Sequence, residues 1–66
     1  MAAAYAEPHS LIGTFRRFGR LGPVYEIIGT AETHTEGRRL MSIRVVETGE
    51  ELAYPLRSIF EDPKVA

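Results

Sequence analysis

The chain has 66 residues, a net charge of −1 and no cysteine. This length allows one domain with a small core, and the missing thiols exclude both a disulfide framework and a thiolate zinc site. A nearly neutral chain gives no electrostatic reason to expect nucleic acid, and no segment approaches the roughly 18 apolar residues of a membrane span. We therefore expect a cytoplasmic protein without cofactors, stabilised by a protein partner or by a second copy.

Charge is distributed unevenly along the chain. Six arginines and four glutamates precede Val45, for a net +2, whereas two basic and five acidic residues follow from Val45 onward, for a net −3. This asymmetry predicts a bipolar molecule that attracts an oppositely oriented copy or partner.

Residues 1–10 are rich in alanine and interrupted by Pro8. We expect a flexible leader, because so short a helix is unstable in water without packing. The segment lacks the basic start and the apolar length of a signal peptide. Residues 11–63 are assigned to a single small domain and residues 64–66 to a tail.

Residues 11–20 allow two interpretations. With Ser10 as N-cap, the apolar spacing that ends before Gly19 suits a helix of about two turns, which would cover the sheet of an α+β fold. However, Gly13, Thr14 and the aromatic residues form helices poorly, and the turn at residues 19–23 would fold a strand back on the next segment. We prefer the strand and keep a helix over residues 11–18 as the alternative.

Residues 24–31, VYEIIGTA, predict a central strand. The segment is apolar on both faces and rich in β-branched residues, so we expect both faces to be buried. Gly29 within it predicts a bulge or a sharp bend. The polar residues 33–37 then form a loop to the next strand.

The most informative pattern runs from Arg39 to Leu56, where two alternating apolar segments flank a turn. A loop at Thr48-Gly49, or at residues 47–50, gives one apolar face. The expected pairs are Val45 with Leu52, Ile43 with Tyr54, and Met41 with Leu56. A three-residue loop is rejected because it would turn one strand over relative to the other.

Leu56, Ile59 and Phe60 follow at i, i+3 and i+4, which predicts one helical or 3₁₀ turn at one end of the sheet. Asp62-Pro63 ends that turn. The predicted fold is mainly β: three or four antiparallel strands in meander order, either curled into a small SH3-like barrel or left open.

Two strings carry a resemblance to known proteins: GTFRRFGRLGPVYEIIG and RVVETGEELAYPLRSIFEDP. Through them the chain resembles a family of short bacterial proteins known only as a domain of unknown function. The resemblance spans residues 11–63 and is most specific at residues 22–26, 47–50 and 54–56. A looser similarity, G-x-x-R followed by Tyr-Glu-Ile-Ile-Gly-x-Ala, is to small SH3-like barrel domains. Neither resemblance implies an activity.

One cluster suggests binding, because arginines interleaved with aromatic residues can hold phosphates and stack on bases. This candidate patch comprises Phe15, Arg16, Arg17, Phe18, Arg20 and Tyr25. A simpler interpretation is an ordinary half-buried strand with its aromatic residues inside and its arginines outside, since neighbours in a strand point to opposite faces. We prefer this second interpretation.

Nothing in the sequence predicts an enzyme. His9 and His34 are far apart in the chain and match no metal-ligand spacing, and the serines lack a nucleophile motif. We interpret the acidic residues as a charged surface that keeps the protein in solution. We expect a non-enzymatic protein-interaction module, antitoxin-like or regulatory, that uses an exposed strand edge, with nucleic-acid binding through the candidate patch as the alternative.

Overall fold

The structure is a computed structural model that describes residues 8–31 and 39–65. Its elements are α1 (Pro8–Leu11), β1 (Phe15–Arg17), β2 (Val24–Thr30), β3 (Leu40–Val45), β4 (Glu51–Pro55) and α2 (Leu56–Glu61). The strands form one antiparallel sheet in the order β1-β2-β3-β4, and β1 does not pair with β4. The predicted mainly β meander is confirmed, in its open form.

Two parts of the sequence prediction lie wholly or partly outside the described residues. The polar loop at residues 33–37, with His34, falls in one gap, and residues 1–7 of the expected leader fall in another. Residues 8–10 of that leader belong to α1.

The core lies on one face of the sheet. Tyr25 and Ile27 of β2 and Met41 and Ile43 of β3 are fully buried there, and Ile59 of α2 packs onto them. The other face of β2 is only half-buried. The expectation that β2 is buried on both faces is therefore wrong, because a chain this short provides only one packed layer.

Within residues 11–18 the chain forms the strand β1 at Phe15–Arg17 and not a helix over the whole segment. α1 ends at Leu11, whose carbonyl accepts a hydrogen bond from the backbone N–H of Thr14, and Gly13 between them has a φ of +92°. Because such a φ favours glycine and breaks the helix, the chain turns into β1 at Phe15. The strand interpretation is confirmed, and the helix alternative is wrong.

The β3–β4 hairpin has the predicted faces but a different register. Ile43 pairs with Leu52 and Met41 with Tyr54, two positions away from the predicted partners. The loop is residues 46–49, because the N–H of Gly49 bonds the carbonyl of Val45 at 2.7 Å and Gly49 adopts a φ of +79°. A shift of two residues keeps every side chain on its face, so the three-residue loop remains excluded.

Gly29 introduces the predicted irregularity into the sheet. The register between β2 and β3 shifts between Ile27 and Gly29, which confirms a bulge at that point.

α2 is longer than the predicted single turn. It follows Pro55 directly and stops at Asp62, whose extended ψ of 145° is the conformation that a following proline favours. Ile59 is fully buried, but Phe60 is 46% exposed. Phe60 is next to Ile59 in the helix and therefore points about 100° away from the core.

The segment after α2 returns to the opposite edge of the sheet. The N–H of Arg17 bonds the carbonyl of Pro63, and the N–H of Val65 bonds the carbonyl of Phe15, both at 3.1 Å. Lys64 forms a bridge with Arg16 between them. Residues 64 and 65, assigned to a tail from the sequence, thus occupy the outer edge of β1.

We expect Gly22→Ala to lower the free energy of unfolding by about 2 kcal/mol. A methyl group at Gly22 would overlap the backbone carbonyl oxygen of Phe18 and lie 2.8 Å from the Phe18 Cβ, so the β1–β2 loop must shift. The matched control is Gly29→Ala, whose methyl group would meet no atom within 4 Å. Urea unfolding of both variants measures the difference, and equal stabilities would contradict a tightly packed loop.

Candidate functional site

The six residues of the candidate patch do not form one surface. Three of them belong to the interior or pack against it: Arg16, Phe18 and Tyr25. The other three are exposed or half-buried: Phe15, Arg17 and Arg20. The structure therefore separates the residues that the sequence placed together.

The expected arrangement of aromatic residues inside and arginines outside is wrong for β1. Arg16 is only 6% exposed, whereas Phe15 is 39% exposed. Phe15 and Phe18 are three positions apart, so an extended chain places them on opposite faces. Phe18 packs inward against Tyr25, and the residue two positions before it, Arg16, takes the inward face as well.

The buried guanidinium of Arg16 bonds the end of α2. Its Nη1 donates to the carbonyl oxygen of Ile59 at 2.9 Å and to that of Asp62 at 3.1 Å. A cation suits the last carbonyls of a helix, which have no partner within the helix. Its buried Nε has no hydrogen-bond partner among the described residues. These contacts make Arg16 a structural residue and leave it poorly placed to hold a phosphate.

The carboxylate of Asp62 is the centre of a polar cluster. Its Oδ2 accepts hydrogen bonds from the hydroxyls of Tyr25 at 2.7 Å and Tyr54 at 3.0 Å, and its Oδ1 accepts one from the N–H of Gly19 at 3.3 Å. The ring of Phe18 lies 4.4 Å from that of Tyr25 and 5.2 Å from that of Tyr54, measured between centroids. This Asp62 cluster joins β2, β4 and the β1–β2 loop.

Both tyrosines of the Asp62 cluster stay neutral over a wide pH range. Burial raises the pKa of Tyr25 well above its ordinary value, and the hydrogen bond to Asp62 and the negative charge of that carboxylate raise it further. The same three causes, in the same order, raise the pKa of Tyr54. The hydroxyls therefore remain hydrogen-bond donors to Asp62.

These pKa shifts predict a loss of stability in alkali. A tyrosine whose pKa is higher in the folded state than in the unfolded chain favours folding below the unfolded pKa of about 10 and destabilises the fold as the pH rises above it. We expect the midpoint of urea unfolding to be insensitive to these tyrosines below about pH 9 and to fall above about pH 10. Tyr25→Phe should reduce the alkaline slope, and an unchanged slope would contradict the assignment.

The outer edge of β4 is open. The N–H of Val45 bonds the carbonyl of Glu50, and the N–H of Leu56 bonds the carbonyl of Arg39. Along the hairpin, pairs that exchange backbone hydrogen bonds alternate with pairs that do not, and these two bonds show which pairs are which. The even-numbered residues of β4 thus bond β3, and the odd-numbered residues direct their backbone groups outward. These outward residues, which we call the β4 edge, are Glu51, Ala53 and Pro55. No strand among the described residues pairs with them.

An open cavity of about 630 Å³ lies at the C-terminal end of β4. We call it the arginine groove; it is lined by Arg39, Pro55, Leu56, Arg57, Ser58 and Phe60. Arg39 and Arg57 are exposed, and within residues 8–31 and 39–65 neither forms an ion pair. The groove therefore offers two cationic groups beside apolar surface.

The opposite end of β4 is acidic. Glu47, Glu50 and Glu51 lie on or beside the hairpin loop, and all three are exposed. The carboxylate of Glu51 lies 3.6 Å from the guanidinium of Arg44, which partly compensates the negative charge of Glu51. The same guanidinium also binds the carboxylate of Glu26 at 3.1 Å. Glu50 has no ion-pair partner in the described part of the chain.

The described residues do not bring together a metal site. In residues 8–31 and 39–65, no three histidine or acidic side chains lie close enough to hold an ion, and His9 is exposed on α1. Among the described helices, none is both long enough and apolar enough to cross a membrane.

Sequence reasoning missed the β4 edge residues, the arginine groove and the central role of Asp62. The groove residues precede β3, end β4 and belong to α2, and the pairing of β3 with β4 brings them together. The sequence did offer a sign that Asp62 has a specific role: it is the only aspartate in the chain, and it directly precedes a proline.

These features define a small, mainly β domain with one open strand edge and a cationic groove at the end of that strand. The chain belongs to a family of unknown function, DUF5397, whose model matches residues 3–66. The predicted membership in a domain family of unknown function is thereby confirmed, whereas the likeness to SH3-like barrels stays a prediction. No curated protein gives a significant match.

Proposed function

We propose that this protein is a non-enzymatic interaction module that binds another polypeptide by strand addition at the β4 edge. The observation that carries the proposal is the row of outward backbone groups on Glu51, Ala53 and Pro55, in a segment whose first three residues are exposed. An unpaired edge of this kind binds an extended segment through main-chain hydrogen bonds.

Three features support this function. The outer edge of β1 is occupied by residues 63–65, so the β4 edge is the position in the described sheet where a strand can be added. Ala53 at its centre has a small side chain that leaves room for a neighbouring strand. A domain of this size gains a large share of its stability from any partner that it binds. An antitoxin-like or regulatory role in the cytoplasm is one form of this function.

The nucleic-acid alternative has less support. Three of the six residues of the candidate patch are turned inward, and the guanidinium of Arg16 is occupied by two carbonyl groups. Fluorescence anisotropy with labelled single and double strands at low salt tests the alternative, because phosphate-mediated binding weakens steeply as salt rises. No binding at low salt removes it.

Photo-crosslinking in the native host tests strand addition directly. A photoreactive amino acid at Ala53 should form a covalent adduct with another polypeptide chain. The matched control carries the same group at Leu21, which is 96% exposed on the loop between β1 and β2, neither of which neighbours β4 in the sheet. Adducts at position 53 that are no more abundant than at position 21 would rule out the proposed function.

A further inference from the structure

We propose that the partner at the β4 edge is a second copy of this chain, with its β4 antiparallel to the first around a two-fold axis at Ala53. This inference rests on the proposed function and names its partner. In the resulting dimer, the acidic hairpin loop of each copy lies at the arginine groove of the other.

The backbone of the β4 edge is complementary to itself. With the axis at Ala53, the N–H of Ala53 in each copy reaches the carbonyl of Ala53 in the other, because both groups point outward. In the same register, the N–H of Glu51 reaches the carbonyl of Pro55. Pro55 needs no acceptor because it has no N–H, so the ladder ends there in both copies. A surface that pairs with itself in this way gives a closed dimer.

The charges along the β4 edge favour the antiparallel orientation. Glu50 and Glu51 lie at its N-terminal end, and Arg39 and Arg57 line the groove at its C-terminal end. Two antiparallel copies place an acidic end beside a basic end twice, whereas parallel copies would place like charges together. Glu50 and Arg57 have no ion-pair partner within the described residues, so both are available for this contact.

The side chains of β4 add an apolar contact. Leu52 is 37% exposed although it lies on the core side of the hairpin. In the proposed register it stands opposite Tyr54 of the second copy, and a cross-strand pair of an aliphatic and an aromatic side chain stabilises a sheet. The dimer would thus cover an apolar side chain that one copy leaves partly open.

Sedimentation equilibrium of the purified full chain tests the dimer. We expect a species of twice the 7.4 kDa chain mass at high micromolar concentration. Ala53→Pro should yield monomers, because it removes an outward N–H while leaving the ladder to β3 intact. Ala53→Ser keeps the N–H and should still dimerise. Circular dichroism must show that both variants are folded, and a dimer that survives in folded Ala53→Pro would overturn the proposed interface.

A charge exchange tests the orientation without touching the backbone. Glu50→Arg and Arg57→Glu should each weaken dimerisation by about tenfold, and the double variant should recover most of the loss. The dissociation constant of the native dimer should also rise with salt. Losses that simply add in the double variant would overturn the antiparallel contact.

The two proposals can fail separately. A chain that stays monomeric at every concentration but still forms adducts through position 53 overturns the second-copy inference and leaves strand addition standing. Monomers together with no specific adduct overturn both. An adduct at position 53 whose mass is twice that of the chain supports both.

Discussion

Replacing Arg16 with alanine should lower the free energy of unfolding by about 4 kcal/mol. The substitution removes a side chain that is only 6% exposed and opens a cavity between β1 and α2. It also removes the guanidinium donor to the carbonyl oxygens of Ile59 and Asp62, and the Ile59 oxygen then keeps only the backbone N–H of Asp62. Chemical denaturation followed by circular dichroism measures the loss, which is large enough to unfold a small domain.

The neighbouring Arg17→Ala is the matched control for this prediction. Arg17 is half-buried and donates one hydrogen bond, to the carbonyl of Gly22 at 3.1 Å, so its removal should cost about 1 kcal/mol. Arg16→Met keeps most of the apolar side chain and should fall between the two alanine variants. If Arg16→Ala lowers the free energy of unfolding by no more than Arg17→Ala does, the structural role assigned to Arg16 is contradicted.

Asp62→Ala should have the second largest effect, a loss of about 3 kcal/mol. The Tyr25 hydroxyl would be left in the interior without an acceptor, and Tyr54 and the N–H of Gly19 would lose theirs. Hydrogen bonds to a carboxylate are stronger than those between neutral groups, which makes the loss larger. The same denaturation experiment provides the measurement.

Two companions isolate the role of the Asp62 carboxylate. Glu61 is the adjacent acidic residue; it is exposed and accepts a hydrogen bond from neither tyrosine hydroxyl. Glu61→Ala should therefore leave the free energy of unfolding nearly unchanged. Asp62→Asn keeps the shape but loses the charge, so it should be destabilised by less than Asp62→Ala. Equal stabilities of Glu61→Ala and Asp62→Ala would contradict the Asp62 cluster.

The features that could be predicted from the sequence are those set by local pattern. Alternation of apolar residues identified β3 and β4, a run of apolar and β-branched residues identified β2, and Gly29 identified the bulge. The hairpin register could not be fixed, because moving β4 by two residues keeps the same side chains on the same face. The conformation of Gly49 selects the observed loop, and no apolar pattern reports it.

For the candidate site as well, local spacing was readable from the sequence and long-range contacts were not. The spacing of Phe15 and Phe18 is odd, so the sequence already implied that only one of them could face the core of a strand. By contrast, Asp62 bonds Tyr25 across 37 positions of the chain. That contact depends on how α2 crosses the end of the sheet, which is a tertiary property.

The return of the C-terminal segment to β1 has a consequence for biosynthesis. Arg16 meets the carbonyl of Asp62 across 46 positions, and residues 63–65 then pair with β1. Residues 63–65 are synthesised after all four strands, so the outer edge of β1 stays unpaired until these residues have left the ribosome. The nascent chain therefore leaves two strand edges open at once, and a chaperone that shields extended segments would have its greatest effect at that stage.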